Sequence, residues 1–166
     1  MGRIPVNAAL VAMLLLIVSM LPGSRAYGQG SPATANTLKG LSGVQVLIEE
    51  LNDAAKALGL DTAAIQTDVE LKLRMAGLRV LSDEEEKSTP DRPWLYVNVN
   101  VVGKAAAIGV NFNQTARLAR TGETASVTTW SRTGLATNPT AESVRNQIKD
   151  YVDAFLNDWL SANPKK

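Results

Sequence analysis

The segment Trp94–Val102 (WLYVNVNVV) alternates without a break. Leu95, Val97, Val99 and Val101 fall on one side, and Trp94, Tyr96, Asn98 and Asn100 on the other. A period of two over nine residues is the pattern of a half-buried strand and excludes a helix. Gly103-Lys104 follows, with a glycine leading the pair as a type II′ hairpin turn requires. Ala105–Arg120 is the returning strand, its apolar side carrying Ile108, Val110, Phe112, Ala116 and Leu118. Thr121-Gly122 offers a second turn, and Glu123–Arg132 a third strand rich in threonine.

The registers follow from the turns. If Gly103-Lys104 is the whole first loop, opposing residue numbers sum to 207, and Val99 faces Ile108, Val97 faces Val110 and Leu95 faces Phe112. If Thr121-Gly122 is the whole second loop, the sum is 243, so that Leu118 faces Ala125, Ala116 faces Val127 and Arg120 faces Glu123. A slip of one residue in either hairpin would set apolar against polar side chains. The expectation is an antiparallel meander of three strands.

The flanking segments supply the rest. Gly43–Leu51 (GVQVLIEEL) reads as a strand internal to the sheet or covered on both sides, because its apolar run is nearly continuous. A helical turn is expected near Ala54–Leu58. Asp61 or Thr62 can cap a helix whose stripe is Ile65, Val69, Leu73 and Ala76, with acid-first pairs Asp68–Lys72 and Glu70–Arg74 and a stop at Gly77. Leu78–Leu81 is a short second strand. Ser82 and Glu85 have capping-box spacing and open a helical turn within the run Asp83–Glu86. That run lacks the alternating ladder and glycine of a calcium loop. Gly134–Thr140 reads as a loop. Asn138 can cap a last helix with Pro139 in its first position, a stripe of Val144, Ile148, Val152, Phe155 and Trp159, and a stop at Asn163-Pro164.

The fold class is therefore α/β (α+β), with the order β-α-β-β-β-β-α. It comprises a mixed five-stranded sheet with a parallel crossover between its first two strands, an antiparallel meander, and two helices on one face. Only one domain is expected, over residues 38–163. Ahead of it, residues 1–26 combine Arg3, an uncharged apolar run Ala8–Leu21 and small residues at Ser24 and Ala26. That is the make-up of a secretory signal peptide, cleaved after Ala26 or Gly28, and its apolar run is shorter than a membrane span needs. Residues 27–37 are small and polar and read as a disordered leader. The expected location is secreted or periplasmic, with no membrane span after cleavage.

Composition then narrows the chemistry. The chain of 166 residues contains no histidine and no cysteine. It can form no disulfide, thiolate or imidazole metal site and no Ser-His-Asp triad. Loss of Arg3 and Arg25 leaves 15 of the 17 bases against 16 acids, so the mature chain would carry −1 rather than +1. Near-neutral charge argues against a nucleic-acid partner. An aromatic content of 5% leaves little for base stacking. No cofactor, metal or catalytic residue is expected, and the balance leans away from an enzyme.

The stretch Leu60–Leu81 (LDTAAIQTDVELKLRMAGLRVL), with the strand segment Tyr96–Asn100 (YVNVN), resembles small secreted bacterial proteins of uncharacterised function. The order of elements is also similar to α/β modules of periplasmic assembly proteins such as the amino-terminal domain of TolB. These resemblances imply a fold and an envelope setting. They carry over no activity and no site residues.

The candidate site is the polar face of the meander. With the registers above, Trp94 opposes Asn113, which opposes Trp130, and Tyr96–Asn111, Asn98–Gly109 and Thr115–Thr128 extend the row. Trp94, Tyr96, Asn98, Asn111, Asn113 and Trp130 would give a surface of amides and rings with few charges, suited to a partner protein or a glycan. The leading function is a non-enzymatic exported domain that binds an envelope protein. One alternative is a carboxylate-dependent hydrolase of envelope glycans using Glu49, Glu50 and Asp53 at the end of the first strand. The other is a structural subunit that associates with itself through its sheet edges. Asn113-Gln114-Thr115 matches a glycosylation acceptor but lies inside an expected strand.

Overall fold

The alternating segment forms β3, Trp94–Val102, at the centre of a five-stranded mixed sheet. The computed structural model describes residues 32–164. The expected signal peptide and residues 27–31 of the expected leader lie outside the described residues. The elements are α1 (Pro32–Ala35), a 3-10 turn (Asn36–Leu38), β1 (Gly43–Ile48), α2 (Asp53–Ala57), α3 (Thr62–Ala76), β2 (Arg79–Val80), α4 (Asp83–Ser88), β3, β4 (Ala105–Arg117), β5 (Thr124–Thr137) and α5 (Ala141–Ala162). Within the expected leader, residues 32–37 are thus largely helical, and they lead Leu38 into the core.

The strand order is β2-β1-β3-β4-β5. β1 is internal and runs parallel to both neighbours, β2 and β3. The β3–β4 hairpin has the expected register in all nine pairs, from Trp94–Asn113 to Val102–Ala105. Gly103 takes φ 56°, the left-handed backbone a leading turn residue needs and a β-carbon would resist.

The β4–β5 hairpin departs from its expected register. Its loop is four residues longer than a two-residue turn. The Leu118 N–H donates to the Glu123 carbonyl at 2.7 Å, and the Gly122 N–H donates to the Leu118 carbonyl at 2.8 Å. Ala116 therefore opposes Ala125 and Gln114 opposes Val127, two residues from expectation. A shift of two keeps every side chain on its face. Farther along, a bulge does not. Asn113 opposes Thr128 but Phe112 opposes Trp130, so Thr129 is an extra residue. The bulge turns Trp130 to the helix side. β5 then continues to Thr137, through residues expected to be a loop. Beyond Asn113, β4 pairs among the described residues only with β5, so residues 114–117 and 124–127 form a two-stranded ribbon past the end of β3.

α3 and α5 cover one face and enclose the core. Ile65, Val69 and Leu73 from α3, and Val144, Ile148, Val152 and Phe155 from α5, meet Val44, Leu95, Val97, Val110 and Phe112 of the sheet. Each side chain of this kind contributes about 1.5–3 kcal/mol when fully buried. Asp61 caps α3 by accepting from the Ala64 N–H at 2.8 Å, and Gly77 ends it. Glu70–Arg74 pairs within α3 at 2.7 Å as expected. Asp68 and Lys72 instead reach across to α5. Asp68 binds Arg145 at 2.7 Å, and Lys72 binds Asp153 at 2.6 Å. The neighbouring helix supplies partners that the isolated α3 pattern cannot show.

α5 starts later than expected. Thr140, not Asn138, is the cap, in a reciprocal box with Ser143, and Pro139 lies outside the helix. α4 opens with the expected capping box of Ser82 and Glu85. The Ser82 backbone N–H holds the Glu85 carboxyl below its ordinary range.

Candidate functional site

The face of the sheet opposite α3 and α5 is polar. The registers place Gln45, Trp94, Asn113 and Thr128 in one row across four strands, and Leu47, Tyr96, Asn111 and Ser131 in the next. Asn98 and Gly109 continue the surface toward the β3–β4 turn. Trp94, Tyr96, Asn98, Asn111 and Asn113 are all half-buried, so part of each is open to a partner.

Local hydrogen bonds order the amides. The Thr128 hydroxyl donates to Asn113 Oδ1 at 2.6 Å. Asn113 Nδ2 donates to the Asn111 carbonyl, and Asn111 Nδ2 to Asn98 Oδ1, both at a long 3.4 Å. The Glu49 carboxylate lies near the Tyr96 hydroxyl. Burial comes first, then the neighbouring Glu49 carboxylate, in raising the Tyr96 pKa above its usual value of 10.0.

Trp130 does not belong to this face. Its ring is 1% exposed and packs edge-on against Phe155 at a centroid distance of 5.3 Å. Its Nε1 donates to Asp158 at 2.8 Å. The expected row of two tryptophans is therefore one tryptophan, Trp94, with Thr128 in the place assigned to Trp130. The physical reason is the bulge at Thr129. It lets the largest apolar side chain of β5 enter the core and still satisfy its N–H.

Residues that sequence reasoning left out complete the surface. Gln45 and Leu47 arrive from β1, whose parallel register with β3 has no turn from which it could be read. Leu47 is 40% exposed. Beside them, α4 and the loop before β3 form a groove of about 280 Å³ lined by Gln45, Leu47, Asp83, Lys87, Arg92 and Trp94. Its wall is anchored by Glu86, 4% exposed, whose carboxylate accepts from Arg92 Nε at 3.1 Å and Nη2 at 3.2 Å. Gln45 Nε2 donates to Asp83 at 2.6 Å.

The three acids weighed for catalysis have separate engagements. Glu49 meets Tyr96. Glu50 pairs with Lys56 at 3.3 Å. Asp53 opens α2, where a negative charge suits the helix start. No group of three or more acids that could hold a metal ion occurs among the described residues. No helix among them is long and apolar enough to cross a membrane.

No family model matches the chain, and no curated protein matches it. Among solved structures, a dodecamer of a PelC variant from Paraburkholderia phytofirmans aligns at 17% identity, over 75% of this chain and 93% of that one, with a TM-score of 0.36. A likeness that distant carries nothing about function to this chain.

Proposed function

We propose that the chain is an exported, non-enzymatic α/β domain whose open sheet face binds a partner in the cell envelope. One observation carries this reading. The long helices crowd one side of the sheet and leave the other side to half-buried Trp94, Tyr96, Asn98, Asn111 and Asn113. Rings and amides with few formal charges are the composition of a contact surface that is wetted when alone and desolvated at modest cost when covered. The apolar run and small-residue end of residues 1–26 support export, as does the likeness of Leu60–Leu81 to small secreted bacterial proteins.

The test is a double substitution, Trp94→Ala with Tyr96→Ala, alongside photo-crosslinking from position 98 in intact cells. The expected result is a discrete adduct with an envelope protein that disappears in the double variant while circular dichroism and the unfolding midpoint stay near those of the parent. An adduct that persists in the folded double variant, or crosslinks only from the helix side, overturns the reading.

A further inference from the structure

The two edges of the sheet are unequal. β2 contributes two residues, and α4 follows it directly. β5 is fourteen residues long and, among the described residues, pairs only with β4. Proteins guard long edges with lysine, proline, bulges or covering elements. The bulge at Thr129 serves that purpose for the first half of β5. The second half, 130–137 (WSRTGLAT), has no proline, no lysine and no bulge.

Its backbone is oriented for pairing. The Asn138 N–H donates to the Lys104 carbonyl at 2.7 Å. Alternation along an antiparallel ladder then turns the N–H and C=O groups of Ser131, Thr133, Leu135 and Thr137 away from β4. Leu135 is 77% exposed, and it stands opposite exposed Ala107 on the polar face. On the helix side, Arg132 lines a groove with Asp150, Tyr151 and Asp153 between β5 and α5. Arg132 Nε is buried without a hydrogen-bond partner among the described residues. Asp153 is held by Lys72, whereas Asp150 is exposed.

We propose that this half of β5 pairs antiparallel with the same segment of a second copy, about a two-fold axis at Thr133, joining two sheets into one of ten strands. In this register Thr133 meets the partner's Thr133, and Leu135 covers the partner's Ser131. Arg132 lies opposite the partner's Gly134, over which the partner's Tyr151 hydroxyl lies. Its charge is then directed toward the partner's Asp150, and the symmetry gives that complement twice. A strand whose one charged residue is a cation, beside a helix that presents an acid along the same edge, matches itself. The ladder alone buries less than about 1,000 Å², so the pair is a weak, concentration-dependent dimer rather than an obligate one. This inference rests on the β5 edge and not on the amide face, so Trp94→Ala with Tyr96→Ala should leave it unchanged.

The chain's lack of cysteine makes the test direct, since any disulfide reports an introduced thiol. Thr133→Cys, in the chain as its host processes it, should oxidise to a covalent dimer, because residues facing each other on the axis fall within bridging distance. Ser126→Cys, on the other side of the bulge, should remain monomeric. Sedimentation of the parent should show mass rising toward two copies with concentration. Thr133→Pro, which removes an N–H that no described strand of the same chain uses, should weaken association at least about tenfold while the circular dichroism spectrum is retained. A parent that stays monomeric throughout, equal bridging at both cysteine positions, or unaltered association of Thr133→Pro would each overturn the proposal.

Discussion

Trp130 stands opposite Phe112 on the helix side of the sheet, and its indole N–H donates to Asp158 of α5 at 2.8 Å. One residue away in register, Thr128 stands opposite Asn113 on the other face. The bulge between them is what the core gains Trp130 through. Trp130→Ala should lower unfolding free energy by about 3–5 kcal/mol in urea titrations, the range for a large aromatic removed from a packed core. Asp158→Ala should cost about 1–3 kcal/mol, since it leaves a buried donor without its acceptor. A Trp130→Ala loss below about 1 kcal/mol would show that the ring is not packed as described.

Gly134 lies beneath the Tyr151 hydroxyl, and a β-carbon there would collide with it. The hydroxyl is fixed in turn by Gln147 Nε2, which donates to it at 2.7 Å. Gly134→Ala should therefore destabilise by about 1–3 kcal/mol, as overpacking does. Tyr151→Phe removes the obstructing oxygen and should recover part of that loss. A double-mutant cycle by thermal unfolding reads the coupling, and additive effects would contradict the contact.

Glu86 and Arg92 hold the loop that feeds β3. Asp91 and Arg92 both sit in left-handed backbone, at φ 63° and 44°. Such residues cost of order 1–2 kcal/mol each unless surrounding bonds enforce them. Here the Glu86 carboxylate takes the guanidinium, and the Thr115 N–H donates to the Asp91 carbonyl at 2.6 Å. Glu86→Gln should cost about 1–3 kcal/mol, discounted from a fully buried pair because Arg92 is more than half exposed. Proteolysis of the loop 89–93 should accelerate in the same variant.

Tyr96 should respond to pH through Glu49. A hydroxyl whose folded pKa lies above its unfolded value contributes stability that is complete below about pH 10 and is lost as pH rises through the folded value. Ultraviolet difference titration should show one tyrosine ionising late. Glu49→Gln removes the carboxylate charge and should bring that transition down toward 10.0, while Tyr96→Phe should remove it. A titration in which Glu49→Gln leaves the late transition in place would separate the two groups.

The β3–β4 pairing could be read from the sequence because one face is apolar over nine residues and the turn is only two residues long. The β4–β5 pairing could not, for two separable reasons. Thr121-Gly122 is compatible with a tight turn, yet the chain closes the loop from Leu118 to Glu123, where Arg117 Nε donates to the Gly122 carbonyl at 3.0 Å. Trp130 then breaks the alternation for a reason that lies in α5, 25 residues and more along the chain, where Phe155 and Asp158 are found. The same distance effect redirects Asp68 and Lys72. Caps were legible where a side chain meets its own turn, as at Asp61 and Ser82. The cap at Thr140 was obscured by a proline that suits a helix start equally well. Of the expected site, Trp94, Tyr96, Asn98, Asn111 and Asn113 share the face, and Trp130 is on the other side.

The overhanging ribbon of residues 114–117 and 124–127 has no third strand among the described residues, and none of its side chains is buried. Two strands without an apolar cover sit at the low end of local stability. Backbone amides there can exchange with solvent by a small opening that stops at the bulge, where Trp130 and Phe112 begin. The molecule would then breathe at one tip while the helices and the amide face stay closed, so protection measured in the ribbon reports on its own hinge and not on global unfolding.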